Sequence, residues 1–304
     1  MALFTSSRVY ELCTLLALTS AAACSASSEG DGTFEGDTTG SDGSGAAGTS
    51  GGDGGSISVG TGVGGGTGGS TSCTQSVDIV FVMDVSTSMD AFLSKLADEI
   101  PVVDAKVKEI APQSIPHYGL VVFVDDVAFE NAAGPYQDVF MLEQDFSSWA
   151  SFSASQSQVS GMGSNTTYPE NSLDALYDAA TKFAWRPAEE TLRIVIHTTD
   201  DTFWDGPTNQ DGVAILHGYA ETVDALQQQQ VRAFSFANKM GGAWEGVDVS
   251  AGWFGPYLGN EAIPDATGGG VFELDQVLQG QVSLSASINQ SVVDSFCQPY
   301  PPPK

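Results

Sequence analysis

Apolar residues recur along this chain in short unbroken runs, and the runs are separated by longer stretches in which apolar positions return every three or four residues. The runs cover 77–83, 118–124, 192–196, 231–236 and 270–274. They are rich in Val, Ile and Phe, which predicts strands buried on both faces. The intervening stretches, 89–110, 170–185, 217–229 and 279–296, carry helical periodicity. Pro101 should interrupt the first of these. The short apolar triplet 140–142 reads as an edge strand. Strand and helix in regular alternation predict an α/β fold: a doubly wound, mostly parallel sheet with helices on both faces, joined by right-handed crossovers.

The folded part begins late. Residues 25–72 are Gly, Ser, Thr and Asp with almost nothing apolar and no basic residue, a composition that cannot build a core and predicts a disordered tether spanning roughly 40 Å. The glycine-rich stretch 62–69 lacks a lysine and follows no strand, so it is no phosphate loop. The expected organisation is a signal over 1–24, the linker over 25–72, one domain over 73–298 and a Pro-rich tail over 299–304.

Residues 1–24 carry Arg8, an apolar stretch from 12 to 18 and then Ala21-Ala22-Ala23-Cys24, which predicts export. The ending resembles a bacterial lipoprotein signal, with Ala21 where that pattern usually has Leu. The resemblance implies lipidation at Cys24, outer-membrane anchoring through the lipid alone and a cell-envelope location; simple secretion with Cys24 free is the alternative. Cys13 would leave with the signal, so Cys24, Cys73 and Cys297 remain. Cys73 and Cys297 open and close the folded part and form a natural disulfide if the domain's ends meet, two unrelated thiols being the alternative.

The formal charge of −28, from 38 acidic and 10 basic residues, removes the attraction that drives nucleic-acid binding and disfavours anionic membrane surfaces. The candidate chemistry sits where strands stop. The first run ends at Asp84, and Asp84-Val85-Ser86-Thr87-Ser88 places a carboxylate and two hydroxyls in one turn at the sheet rim, either as helix caps or as oxygen ligands for a hard divalent cation. Asp200 ends a later strand in the same way. Between them, the polar loop 163–170 closes on Pro169-Glu170 at a helix start. In a wound sheet ligands bind outside the carboxyl ends of the strands, where the winding reverses, so three loops bringing oxygens to one rim point to a single site.

This pattern resembles the von Willebrand factor A domain, in its integrin β variant, over about residues 77–296. Asp84, Ser86 and Ser88 match that family's metal-ion-dependent adhesion motif, Glu170 its middle-loop carboxylate and Asp200 its remaining Asp. The resemblance implies a bound Mg2+, or Mn2+ or Ca2+, that offers one coordination position to an acidic group on a protein or other surface ligand. It extends through Phe123-Val124-Asp125, Asn165 and Pro169 to a second cation site made with Glu170, weakened because Thr167 stands where an Asp is expected. A third site would need carboxylates at Ala91 and Phe92 and is expected to be missing.

The expectation is therefore a non-enzymatic, envelope-tethered adhesion or ligand-binding module. Its alternatives are an envelope scaffold with a structural cation, and a metal-dependent phosphoryl-transfer enzyme. The last lacks both a second Asp, Ser86 standing there, and a lysine for the phosphate. His117, His197 and His217 lie far apart and form no zinc helix, and His197 reads as a packed core side chain. Asp201, Trp204 and Asp205 read as a solvated acidic loop.

Overall fold

A computed structural model describes residue 73 and residues 75–165, 168–210, 212–240 and 248–302. The signal 1–24, the linker 25–72 and Cys24 lie outside the described residues. The order is β1 Ser76–Asp84, α1 Asp90–Ile110, β2 His117–Phe123, β3 Val127–Phe129, α2 Val139–Ser153, α3 Ser172–Lys182, β4 Thr191–Thr199, β5 Thr208–Gln210, β6 Val213–Ile215, α4 Tyr219–Gln228, β7 Val231–Ala237, α5 Ile263–Ala266, β8 Gly270–Glu273, α6 Leu274–Leu278 and α7 Leu284–Ser295.

Six strands form one sheet in the order β3-β2-β1-β4-β7-β8, parallel throughout except for β3, which pairs antiparallel with β2. This is the expected doubly wound sheet. The chain leaves β1 towards β2 and later returns to β4 on the opposite side, so the winding reverses between β1 and β4. The carboxyl ends of those two strands border the crevice that such a reversal opens.

Side-chain alternation along β1 splits the interior in two. Ile79, Phe81 and Met83 face α1, α2 and α7, meeting Phe92, Leu96, Phe146 and Ile288. Val80 and Val82 face α3 and α4, meeting Leu173, Leu176, Ala179 and Leu226. Both faces are dry because both are covered by helices, which is why the strands read as unbroken apolar runs rather than alternating ones.

Two expectations are corrected here. The triplet 140–142 lies in α2, whose start is capped by the Asp138 carboxylate accepting from the Phe140 N–H at 3.0 Å. Three apolar residues in a row do not distinguish a strand from a helix whose apolar stripe is wide; Leu142, Phe146 and Ala150 continue that stripe into the core. Pro101 does not interrupt α1. It sits exposed, while Leu96, Ile100, Val103 and Val107 hold the inner side of the helix to the core on both sides of it. The expected helices over 217–229 and 279–296 are present but start later, at Tyr219 and Leu284.

Cys73 and Cys297 form the disulfide, with Cα atoms 5.9 Å apart across 224 residues of sequence, and the Cys297 N–H donates to Gln75 Oε1 at 2.8 Å. The stretch beyond it is strapped down rather than hanging free. Arg232 donates to the carbonyls of Gln298 at 3.2 Å and Pro299 at 2.6 Å and lies over the Tyr300 ring. At the same, amino-terminal edge of the sheet, Asp78 is fully buried and is held by the Arg186 backbone N–H at 2.9 Å and by its guanidinium through both Nε and Nη2. Gly269 approaches β7 so closely that a Cβ would lie 1.9 Å from the Ala233 carbonyl oxygen, which only glycine allows.

Candidate metal site at the carboxyl edge

Asp84 is the last residue of β1 and has no exposed surface. Its Oδ1 accepts the Ser86 backbone N–H at 2.8 Å and its Oδ2 accepts the Thr199 hydroxyl, from the end of β4, at 2.9 Å. The Ser86 and Ser88 hydroxyls lie 3.2 Å apart, and Ser88 donates to Asp200 Oδ1 at 3.0 Å. The chain after β1 and the chain after β4 are thus joined by hydroxyl bridges across the crevice. Ser86 precedes the short 3-10 turn Thr87–Met89 with its backbone extended, but its side chain makes no cap hydrogen bond there. The helix-cap reading of these hydroxyls fails, and they stay turned towards the carboxylates.

Glu170 arrives from the third loop. It forms an isolated parallel bridge with Phe203, its N–H donating to the Thr202 carbonyl at 3.2 Å and its own carbonyl accepting the Trp204 N–H at 3.1 Å. Next to it, Asn171 caps α3. Its Oδ1 accepts the Asp174 N–H at 3.4 Å, its Nδ2 donates to the Asp125 carbonyl at 2.9 Å, and its own N–H donates to the Val124 carbonyl at 2.7 Å. Glu170 is therefore pinned between the loop after β2 and the loop after β4. Its carboxylate is buried; Oε1 accepts from Asn165 Nδ2 at 3.2 Å, while Oε2 has no hydrogen-bond partner among the described residues.

The electrostatics follow from burial without a counter-charge. None of the ion pairs among the described residues involves Asp84, Glu170, Asp200 or Asp201. Burial, reinforced by Asp200, pushes Asp84 up to about 7. Burial and then the neighbouring Asp84 push Glu170 well above the usual carboxylate range, with Asp125 and Asp201 adding to it. Burial also raises Asp200, and burial followed by Asp200 brings Asp201 to about 6.

Asp201 corrects an expectation, being buried rather than solvated, with Oδ2 lacking a partner. Asp205 is exposed and Trp204 half-buried. His197 is a core side chain as expected, stacked on Phe123 and tilted against Trp253, and burial lowers it to about 3.

The five residues of the expected primary site, Asp84, Ser86, Ser88, Glu170 and Asp200, thus come from three loops to one rim. Among the described residues no three His, Cys, Asp or Glu side chains close directly on one point. Hydroxyls stand between the carboxylates instead, and the donor set of carboxylate and hydroxyl oxygens suits a hard cation. The orphaned Glu170 Oε2 and the raised Asp84 are groups that a dication beside them would satisfy. The residues fit such an ion.

Of the residues expected at a second site, Asn165 and Asp125 lie beside Glu170. Asn165 Oδ1 is buried without a partner, and Pro169 follows Tyr168 through a cis peptide bond directly before Glu170. Thr167 lies outside the described residues. The Asp125 carboxylate accepts from Gln158 Nε2 at 2.6 Å, while Gln158 Oε1 accepts the Asp126 N–H at 3.2 Å. Gln158 was not anticipated, because a neutral amide in a serine-rich loop carries no pattern. Thr199 also escaped notice as a donor, although its place one residue before Asp200 at a strand end was the available signal.

No protein-family model and no curated protein matches the chain. Among solved structures, an aerotolerance-related membrane protein from Bacteroides fragilis NCTC 9343 is 16% identical, with 72% of this chain and 99% of that chain covered and a TM-score of 0.43. Proximal thread matrix protein 1 from the mussel byssus is 15% identical, with 72% and 47% covered and a TM-score of 0.40. These likenesses are too distant to carry an argument about the site. Among the described residues no helix is long and apolar enough to cross a membrane.

Proposed function

We propose that this chain is an envelope-tethered, von Willebrand factor A-like module that binds a partner through a divalent cation held by Asp84, Ser86, Ser88, Glu170 and Asp200. The observation that carries the reading is the buried Glu170 carboxylate, with one oxygen unpartnered and a second buried carboxylate, Asp84, as its neighbour. Such a pair is costly alone and favourable around a dication.

A bound Mg2+, Mn2+ or Ca2+ would supply a Lewis-acidic coordination position for a carboxylate of the partner. The protein's share of the work is to keep Asp84 fixed through the Ser86 N–H and Thr199, and to hold Ser88 beside Asp200. The hydroxyls and carboxylates there are read as ligands of the ion, so the proposal is of binding without turnover. Lipidation at Cys24 and the linker 25–72 would place the module at the cell envelope.

Calorimetric titration of the protein with magnesium, manganese and calcium, repeated on Asp84→Ala, tests this. Saturable heat in the parent that is lost in the variant is expected; identical heats in both would end the proposal.

A further inference from the structure

Along α4, on the side facing the loop 257–266, two shallow recesses of about 340 and 430 Å³ share Ala220 and Asn260 and run together as one groove. The groove is built rather than incidental. Asp205 braces one end, its Oδ1 accepting the Tyr219 N–H at 2.8 Å and its Oδ2 the Tyr257 hydroxyl at 3.3 Å. The Tyr219 hydroxyl ties the floor to the opposite wall through the Glu261 carbonyl at 2.6 Å, and Gln227 Nε2 closes the far end on the Ala266 carbonyl at 2.8 Å.

Its lining combines apolar surface with one sign of charge. Tyr257, Val223 and Leu258, the last 80% exposed, supply the apolar part. Asp205, Glu221, Asp224 and Glu261 supply carboxylates from both walls, and among the described residues no lysine or arginine lines it. Glu221 and Asp224 stand three residues apart on one face of α4. The stretch from Tyr219 to Gln227 is about 12 Å long at 1.5 Å per residue, room for roughly four residues of extended chain.

We propose that this groove docks an extended segment of a partner protein that carries lysine or arginine among apolar residues. Charge complementarity selects that occupant: a chain of net charge −28 repels a second copy of itself and nucleic acid alike, whereas ammonium and guanidinium groups meet carboxylates on both walls. The apolar floor takes the side-chain stems and the intervening residues. The inference does not rest on the cation reading, since neither Asp84 nor Glu170 lines the groove.

The test is fluorescence anisotropy of a labelled peptide of alternating lysine and leucine, titrated with the full chain in chelator and again in magnesium. The expected result is saturable one-to-one binding, equal in both buffers and weakened by salt. Reversing two exposed charges in Glu221→Lys/Asp224→Lys should weaken it at least about tenfold, and Glu261→Lys from the other wall should weaken it in the same direction. The matched double reversal Glu189→Lys/Glu190→Lys at the amino edge of β4 should leave it unchanged. Equal weakening by the two double variants would show that net charge alone is read, and equal binding of a glutamate-leucine peptide would show that charge is not read; either overturns the proposal, as does the absence of saturation.

Discussion

Asp84 sits where folding and the proposed ion binding oppose each other. Its carboxyl is shifted from 3.8 to about 7 by burial and by Asp200, so the fold favours its protonated form. Stability from this group is therefore fully present below about pH 4 and is lost as pH rises through 7. His197 works in the opposite sense: lowered from 6.5 to about 3, it contributes stability above 6.5 that is lost as pH falls towards 3. His197 is not among the proposed ligands, so the difference in unfolding free energy with and without magnesium reports the acidic site, Asp84 together with Glu170 and Asp200, apart from His197. The added unfolding free energy should be near zero at pH 4 and grow as pH rises towards neutral, reaching about 2 to 3 kcal/mol when magnesium is roughly a hundredfold above its dissociation constant. A flat difference across that range would contradict the assignment.

At this scale the sequence was readable where partners are close in the chain. Asp84, Ser86 and Ser88 lie within five residues, and Asp200 announces itself by ending a strand. Arg186 and Asp78 are 108 residues apart, and nothing local to either marks them as partners.

Among elements, the strands of the sheet were legible because burial on both faces leaves no polar alternation to confuse them. The edge strand β8 was legible too, at 270–274, but β3 and the β5–β6 hairpin were not. The strand β3 is three half-buried residues, and the β5–β6 hairpin is polar on its first strand, although Asp211-Gly212 is a turn signal that marks such a hairpin. α3 shows how an element serves the site: its cap residue Asn171 bonds the Asp125 carbonyl as well as its own helix, so the helix start is tied to the loop after β2. Asn171→Ala removes the cap and leaves that carbonyl without its donor. It should cost about 1 to 3 kcal/mol by urea denaturation and weaken the heat of magnesium binding, since Glu170 is the preceding residue.

For the whole molecule, three arginines and the buried site carboxylates stand at opposite edges of the sheet. Arg186, Arg193 and Arg232 act at or near the amino edge of the sheet, on Asp78, the Gln229 carbonyl and the terminal strap, while Asp84, Asp200, Asp201 and Glu170 gather at the carboxyl edge. The fold class was readable in advance because every crossover repeats one unit. The bond between Cys73 and Cys297 was readable only as a possibility, since it depends on where the ends meet. Reducing it opens a loop of 224 residues and should lower stability by up to about 5 kcal/mol, read as a shift in urea midpoint that Cys297→Ser reproduces without reductant.

That bond has a mechanical consequence. Cys73 and Cys297 sit 5.9 Å apart at the end of the sheet away from Asp84. Tension applied between the segments entering at one cysteine and leaving at the other passes through sulfur to sulfur, and the strands between them carry none of it. A ligand gripped at the opposite rim would instead load the sheet along its length, so a pull on the ligand and a pull on the two chain ends should give different rupture forces.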